Sequence, residues 1–345
     1  MGIKTARALA GLLAAFTLTA CQSAPPVNPS TSDQPIAIAL HGGAGTITRA
    51  NLKPEQEAEF RTALGQALDR GYEILSAGGS SLDAITATIT LMERSPLFNA
   101  GVGAVYTWDG GHELDASIMA GRDLQAGAVA GVTTIKSPIA AARAVMEHSP
   151  HVLLSGAGAE AFAQSRGLAT VSNDHFDTPS RKASLERVKA ELQRNNAQRA
   201  EPLDYKFGTV GVVALDRSGD LAAGTSTGGM TAKRWGRIGD SPVIGAGTYA
   251  DNRSCAVSAT GHGEFFIRYN VAADICARVR YKGVSIREAG RQVLFDELLP
   301  NGGTGGVIIM SPTGTVAMPF NTEGMYRAKI DANGEREIAI YGDDQ

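Results

Sequence analysis

Cysteine, tryptophan and histidine are scarce in this 345-residue chain, with three, two and six copies. Three cysteines cannot build the dense disulfide framework of a small secreted scaffold. His112-Glu113 lacks the second histidine of a zinc-binding helix and reads as structural. There is no excess of positive charge: the net charge is -3, so no global basic field points to nucleic acid. No Gly-X-Y period and no internal repeat is present, which excludes collagen and repeat architectures. What is present, 43% hydrophobic and 19% charged residues, describes a globular protein with ample length for a core. At ~150 residues per domain, length alone allows about two domains; the order of elements reads as one, from residue 35 to 345. Glycine is abundant, 41 residues gathered in short runs, where a backbone can approach a ligand closely or take positive φ.

The first 21 residues read as an address. Lys4 and Arg7 precede an apolar run, Ala8 to Ala20, too short to span a bilayer as a mature helix. Leu18-Thr19-Ala20-Cys21 resembles the lipobox of bacterial lipoproteins, where cleavage before the cysteine is followed by its lipidation. That resemblance implies a periplasm-facing lipoprotein of the cell envelope, joined to the membrane only through Cys21. An ordinary secretory signal with a chance cysteine is the other reading. Residues 22–34, rich in Ser, Pro and Asn, read as a flexible tether. An oxidising compartment would permit a Cys255–Cys276 disulfide. With one cysteine in an apparent strand and the other in an apparent helix, two buried free thiols are expected.

Ile36 to Leu40 reads as a buried strand running into His41-Gly42-Gly43-Ala44-Gly45. Helical spacing follows from Pro54, and Ser80 with Asp83 forms a capping box before a second helix. Strands are expected at 102–107, 113–119 and 128–135, and helices near 138–148 and 158–166. Residues 172–208 are dense in charge and read as a mobile linker with room for one solvated helix. Thr209 to Leu215 and Leu221 to Thr225 read as strands around turn chemistry at Asp216 to Asp220. Another strand is expected at Cys255 to Thr260, helices near 264–281 and 284–298, and a closing hairpin from Gly306 to Pro319. Strands and helices come in groups, which favours layered α+β packing over a doubly wound sheet.

Gly208-Thr209 sits where the charged linker meets a buried-type strand. Breaking that bond would give Thr209 a free α-amine beside its hydroxyl. An α-amine titrates near ~7.7–8.0, so one residue would carry both nucleophile and base. Gly208 has no side chain to hinder attack on its carbonyl.

Here Gly208-Thr209-Val210-Gly211, Gly224-Thr225-Ser226-Thr227-Gly228-Gly229-Met230 and Gly236-Arg237-Ile238-Gly239-Asp240-Ser241-Pro242 resemble the plant-type asparaginases, also called isoaspartyl peptidases. The likeness extends through Ile244 to Ala250, Ala259-Thr260-Gly261-His262-Gly263-Glu264 and Pro319 to Met325. Upstream, His41 to Gly45 and Pro96 to Gly101 also match, so the resemblance covers about 36–328. It implies a four-layer αββα sandwich, the N-terminal-nucleophile hydrolase fold, self-cleaved between Gly208 and Thr209 into an α chain and a β chain. It implies cleavage of L-asparagine and β-aspartyl dipeptides through a covalent β-aspartyl ester, with two αβ units assembled together and no organic cofactor.

The resemblance also implies roles. Thr209 attacks the side-chain carbonyl and Thr227 holds it. Arg237 clamps the substrate α-carboxylate with its planar fork, and Asp240 pairs with the α-ammonium. Thr260 hydroxyl and Gly261 N–H form the oxyanion hole, Gly263 adjoins the substrate, and Asn99 buttresses the nucleophile. Backbone carbonyls of Met92, Glu93, Ser95, Phe98, Ala100 and Val102 are the stretch where the family holds a sodium ion. His41 reads as structural, and His262 receives no role.

Two rivals remain. Gly224-Thr225-Ser226-Thr227-Gly228 fits the serine-esterase pattern Gly-x-Ser-x-Gly, with His262 the only later histidine. Its flanks, Gly228-Gly229 and Arg234-Trp235-Gly236, give no helical stripe for a nucleophile elbow. A non-catalytic amino-acid-binding lipoprotein would use Arg237 and Asp240 but would not need Thr209.

Overall fold

Strand β1 (Ala37–Gly45) is buried along its whole length, so its sequence shows no polar alternation. The computed structural model describes residues 1–2, 34–194 and 208–342, and those from 34 onward form one unit. The period of two along β1 sorts its side chains to opposite faces. Ile38 and Leu40 join a core with helices α1 (Pro54–Ser76), α2 (Ser81–Glu93) and α3 (Pro138–His148). Ala37 and Ala39 join a second core against another sheet.

Strands β2 (Leu114–Ala120), β3 (Ala126–Val132), β4 (Leu153–Ser155), β5 (Val210–Leu215) and β6 (Leu221–Thr227) complete most of the first sheet. Helices α4 (Gly156–Ser165) and α5 (Pro179–Arg194) follow β4 in the chain. The second sheet contains β7 (Thr248–Asp251), β8 (Cys255–Gly261), β9 (Gly305–Met310) and β10 (Val316–Ala317). Between β8 and β9 lie α6 (Gly263–Arg268), α7 (Val271–Ala277) and α8 (Ile286–Arg291), with α7 and α8 continuing in π geometry. Strands β11 (Gly324–Ile330) and β12 (Arg336–Tyr341) return to the first sheet, whose order is β12-β11-β1-β5-β6-β2-β3-β4. The second sheet runs β10-β9-β8-β7.

The same period of two defines the second sheet. Ala256, Ile308 and Met310 face the first sheet, whereas Val257, Ala259, Val307 and Ile309 pack on α7 and α8. Three cores therefore separate four layers, helix–sheet–sheet–helix, as expected. The core between the sheets is built largely from alanines such as Ala37, Ala39, Ala223, Ala250 and Ala256, which let the two sheets approach closely.

Several local expectations are corrected. No strand forms at 102–107 apart from an isolated bridge at Thr107. Gly101–Gly103 is a single tight turn, with Gly101 at φ 53°. In the 172–208 stretch, residues 173–176 form a turn and α5 packs as an ordered helix. Phe176 and Leu185 are buried, and Arg181 Nε donates to Gly103 O at 2.8 Å. Charge density misleads there because one narrow face of α5 carries its few anchors. Residues 195–207 lie outside the described residues, as do Cys21 and the 3–33 stretch.

Cys255 and Cys276 are joined by a disulfide, with Cα atoms 5.3 Å apart, contrary to the expected free thiols. Helix α7 lies directly on the outer face of β8, so side chains 21 residues apart in sequence meet. Removing both cysteines, Cys255→Ala with Cys276→Ala, is expected to lower stability by about 3 kcal/mol from loop closure. A urea midpoint that stays at the wild-type value, with wild type kept oxidised, would show that the bridge adds nothing.

Candidate active site

Thr209 ends the approach to β5, and Thr227 ends the neighbouring β6. Antiparallel pairing brings their hydroxyls to 3.0 Å. Thr227 Oγ1 also accepts the Gly229 N–H at 3.0 Å. Gly208 O accepts the Asn99 N–H at 3.0 Å. A Cβ on Gly208 would lie 2.8 Å from Asn99 Cβ, so position 208 admits only glycine without displacement. Asn99 further donates from Nδ2 to Gly229 O at 2.7 Å and accepts the Val105 N–H at 2.9 Å. Asn99 thus makes contacts to the Gly208 carbonyl, the 228–229 turn and the 105 backbone.

His41 Nδ1 lies 3.0 Å from Thr209 O, and Nε2 lies 3.1 Å from Ser258 Oγ. A carbonyl only accepts, so Nδ1 carries the hydrogen and Nε2 accepts from Ser258. Burial pushes the imidazole down to about 3, against the opposing pull of the Thr209 carbonyl. His41 is therefore neutral and holds the peptide at Thr209. It touches the backbone of Thr209, which the sequence did not reveal.

Ser258 lies on β8, two residues before Thr260, so both face the first sheet. Thr260 Oγ1 is buried with no hydrogen-bond partner among the described residues. Gly261 sits at φ 153°, and a Cβ there would approach Thr304 O to 2.5 Å. Asp240 Oδ2 is likewise buried without a hydrogen-bond partner among the described residues. Native structures leave few such groups without cause, and here both belong to residues expected to touch substrate.

Arg237 and Asp240, the expected clamp, converge on Gly263, the first residue of α6. A Cβ there would lie 2.8 Å from Arg237 Nη2 and 2.9 Å from Asp240 Oδ1. Arg237 donates from Nε and Nη2 to Glu264 at 2.9 and 3.0 Å. Glu264 lay inside a matching block but had no assigned role; only the fold shows it anchoring the guanidinium. Burial pushes Asp240 up to about 7, partly offset by Arg237. His262, left without a role, stands 3.6 Å from Glu264.

Ser226 is ruled out as an esterase nucleophile. It lies inside β6 with no exposed surface, not at a strand-to-helix turn. Its hydroxyl donates to Glu93 at 2.7 Å. Burial pushes the Glu93 carboxyl up to about 7, against hydrogen bonds from Ser137, Ser226 and Ile139. Glu93 had been noted only for its carbonyl; its buried side chain joins α2, α3 and β6.

The carbonyl stretch Met92, Glu93, Ser95, Phe98, Ala100 and Val102 wraps around Gly101 and Gly103. A Cβ at Gly101 would meet Glu93 O at 2.1 Å, and one at Gly103 would meet Phe98 O at 2.0 Å and Pro96 O at 2.8 Å. Met92 O and Ala100 O already accept N–H groups from Ser95 and Gly103. Such a carbonyl-rich turn suits a hard cation. Among the described residues, no cluster of three or more His, Cys, Asp or Glu could hold a metal.

A family model described as asparaginase matches residues 34–340. The isoaspartyl peptidase of Salmonella typhimurium is 53% identical over 306 residues, covering 88% of this chain and 98% of its own. That of Escherichia coli is 52% identical over 306 residues, covering 88% and 95%. The isoaspartyl peptidase/L-asparaginase of Mus musculus is 41% identical over 317 residues, covering 92% and 94%. With a family match over nearly all the described residues and relatives this similar along their full length, the chain belongs to the asparaginase family.

Proposed function

We propose that this protein hydrolyses β-aspartyl dipeptides and L-asparagine with Thr209 as nucleophile, after cutting its own Gly208–Thr209 bond. The observation that carries the reading is the pair of threonine hydroxyls 3.0 Å apart beside a glycine carbonyl pinned to Asn99. In the precursor, Thr209 Oγ attacks the Gly208 carbonyl carbon and the amide nitrogen leaves as the Thr209 α-amine. Water then hydrolyses the resulting ester, which frees the Gly208 carboxylate and regenerates the hydroxyl.

In the mature site, the neutral α-amine takes the hydroxyl proton as Oγ attacks the substrate's side-chain carbonyl. Thr260 Oγ1 and Gly261 N–H stabilise the oxyanion, where losing one donor typically costs ~10²–10³ in rate. The proton passes to the departing ammonia or amino acid, leaving a β-aspartyl ester that water cleaves. Arg237 and Asp240 together select a zwitterionic head, which neither charge would select alone. No organic cofactor enters this chemistry. A sodium ion, held by carbonyls of the 92–102 turn, would act structurally by holding the loop that carries Asn99.

The test is intact mass of the purified protein at neutral pH, with ammonia release from L-asparagine and aspartate release from a β-aspartyl dipeptide. Two chains, the second beginning at Thr209, with turnover of either substrate are expected. A single uncut chain without amidase activity would end this reading.

Asp240 makes the activity pH-dependent. Its carboxyl is held near 7 by burial, and only the ionised form attracts the substrate α-ammonium. Below that value the protonated fraction grows, and Asp240 alone is expected to lower kcat/KM for L-asparagine by about tenfold per pH unit, steepened further by the α-amine. The Thr209 α-amine, neutral only toward ~8, works in the same direction. A flat kcat/KM profile between pH 5 and 8 would contradict both roles.

We further propose that two αβ units assemble together and that Cys21 carries a lipid anchoring the protein in the cell envelope. Metabolic labelling with a fatty acid, in wild type and Cys21→Ala, tests the anchor; sedimentation tests the assembly.

A further inference from the structure

Between Gly228 and Arg237 the chain forms no helix or strand, yet it carries two parts of the site. Gly229 donates its N–H to Thr227 Oγ1, and Arg237 supplies the clamp. Two non-glycine residues in this turn, Ala232 and Trp235, take positive φ of 60° and 59°. Such backbone persists only where its surroundings hold it.

The side chain best placed to hold it is Lys233, 1% exposed. Its Nζ donates to Glu113 O at 2.8 Å and lies 3.7 Å from Glu113 Oε2 and 3.9 Å from Asp115 Oδ2. The Lys233 backbone is also tied: its carbonyl accepts Trp108 N–H at 2.9 Å, and its N–H donates to Met230 O at 3.1 Å. Asp115 is fully buried on β2, directly opposite Thr227 on β6. One Asp115 oxygen accepts Gly131 N–H at 2.8 Å; the other has no hydrogen-bond partner among the described residues. Burial raises the Asp115 carboxyl, and the Lys233 ammonium is the largest influence pulling it back.

Gly229 lies against two cations. A Cβ there would be 3.2 Å from Lys233 Nζ and 3.5 Å from Arg237 Nη1. The two like charges repel, and each is drawn away by its own carboxylates: Asp115 and Glu113 for Lys233, Glu264 and Asp240 for Arg237. A buried ion pair is weak evidence for stability, since well-packed apolar residues often serve as well or better. What the pair supplies here is placement.

We propose that Lys233 is a positioning residue of the amidase site: drawn toward Asp115 and Glu113, it fixes the 228–237 turn so that Gly229 meets Thr227 and Arg237 faces Asp240. This assignment rests on the amidase reading above.

The test compares wild type with Lys233→Met and Asp115→Asn, with activity expressed per cleaved chain from intact mass and folding checked by near-UV circular dichroism. Folded, cleaved Lys233→Met is expected to lose about 100-fold in kcat for L-asparagine, as small misplacements of reacting groups do. Its KM is expected to rise as well, because Arg237 shifts with the turn. Asp115→Asn should move both constants in the same directions. A folded Lys233→Met that stays uncut supports the assignment too, because self-cleavage uses the same Thr227 contact. Folded, cleaved variants whose kcat and KM stay within twofold of wild type, with only Tm lowered, would overturn it. Should Lys233→Met not fold, the near-isosteric Asp115→Asn decides by the same criterion. An inert wild type would sink the amidase reading; an active wild type beside unimpaired variants would sink only the role of Lys233.

Discussion

Thr209→Ala is expected to remain a single uncut chain and to lose amide hydrolysis by about 10⁴-fold or more, as loss of an activated nucleophile typically does. The variant removes one hydroxyl, and that atom serves two reactions. In the precursor it is the group adjoining the Gly208 carbonyl, which the Asn99 N–H holds in place. In the proposed mature enzyme it is the nucleophile, and without cleavage the base, an α-amine, would never be made. Neighbouring structure should change little: the residue is 8% exposed, and its hydroxyl partner among the described residues, Thr227, keeps the Gly229 N–H. Thr209→Ser, which retains a hydroxyl, should still be cut and active. Intact mass and ammonia release check both variants. An uncut Thr209→Ala chain with undiminished turnover would place the nucleophile elsewhere.

Arg237→Leu is expected to lower kcat/KM for L-asparagine by about 10³-fold while leaving self-cleavage intact. Truncating one partner of a desolvated charge pair typically costs 2–5 kcal/mol or more, and here two contacts fail together. The substrate carboxylate loses its bidentate donor. Asp240, already raised to about 7 by burial, loses the nearby cation that pulls it back, so more of it is protonated at neutral pH. The α-ammonium then also loses its counter-charge. Self-cleavage needs neither contact, since its substrate is part of the chain. Equal loss of cleavage and turnover would mean that Arg237 supports the fold of the site and is not a clamp.

The ordered motifs made much of the site legible. Thr209 and Thr227 meet where β5 pairs with β6, and Arg237 and Asp240, from the loop between β6 and β7, meet at Gly263 at the start of α6. The layered α+β architecture was also readable, because strands β5 and β9 are plain apolar runs and α1 and α2 carry helical stripes and a capping signal. Less legible were β7, β11 and β12, short or partly polar strands that gain their partners only across the sheet. The 172–194 stretch read as too polar for order because its anchors are few and its helix uses one side. Ser226 matched a nucleophile pattern by spacing alone; its burial inside β6 and its bond to Glu93 are tertiary facts.

Local chemistry in the sequence determined which groups are proposed to react: a glycine–threonine bond whose cleavage would unmask an amine beside a hydroxyl, and a positive and a negative side chain three residues apart that would suit a zwitterion. Those properties follow from residue type and near neighbours, so they survive in one dimension. Tertiary structure decided everything that depends on segments far apart in the chain. It joined Cys255 to Cys276 because α7 lies on β8. It set neutral His41 between Thr209 and Ser258 because β1, β5 and β8 converge there. It placed Lys233 over Asp115 because β2 runs beside β6. Burial and pairing are properties of the packed chain, and no spacing along the sequence encodes them.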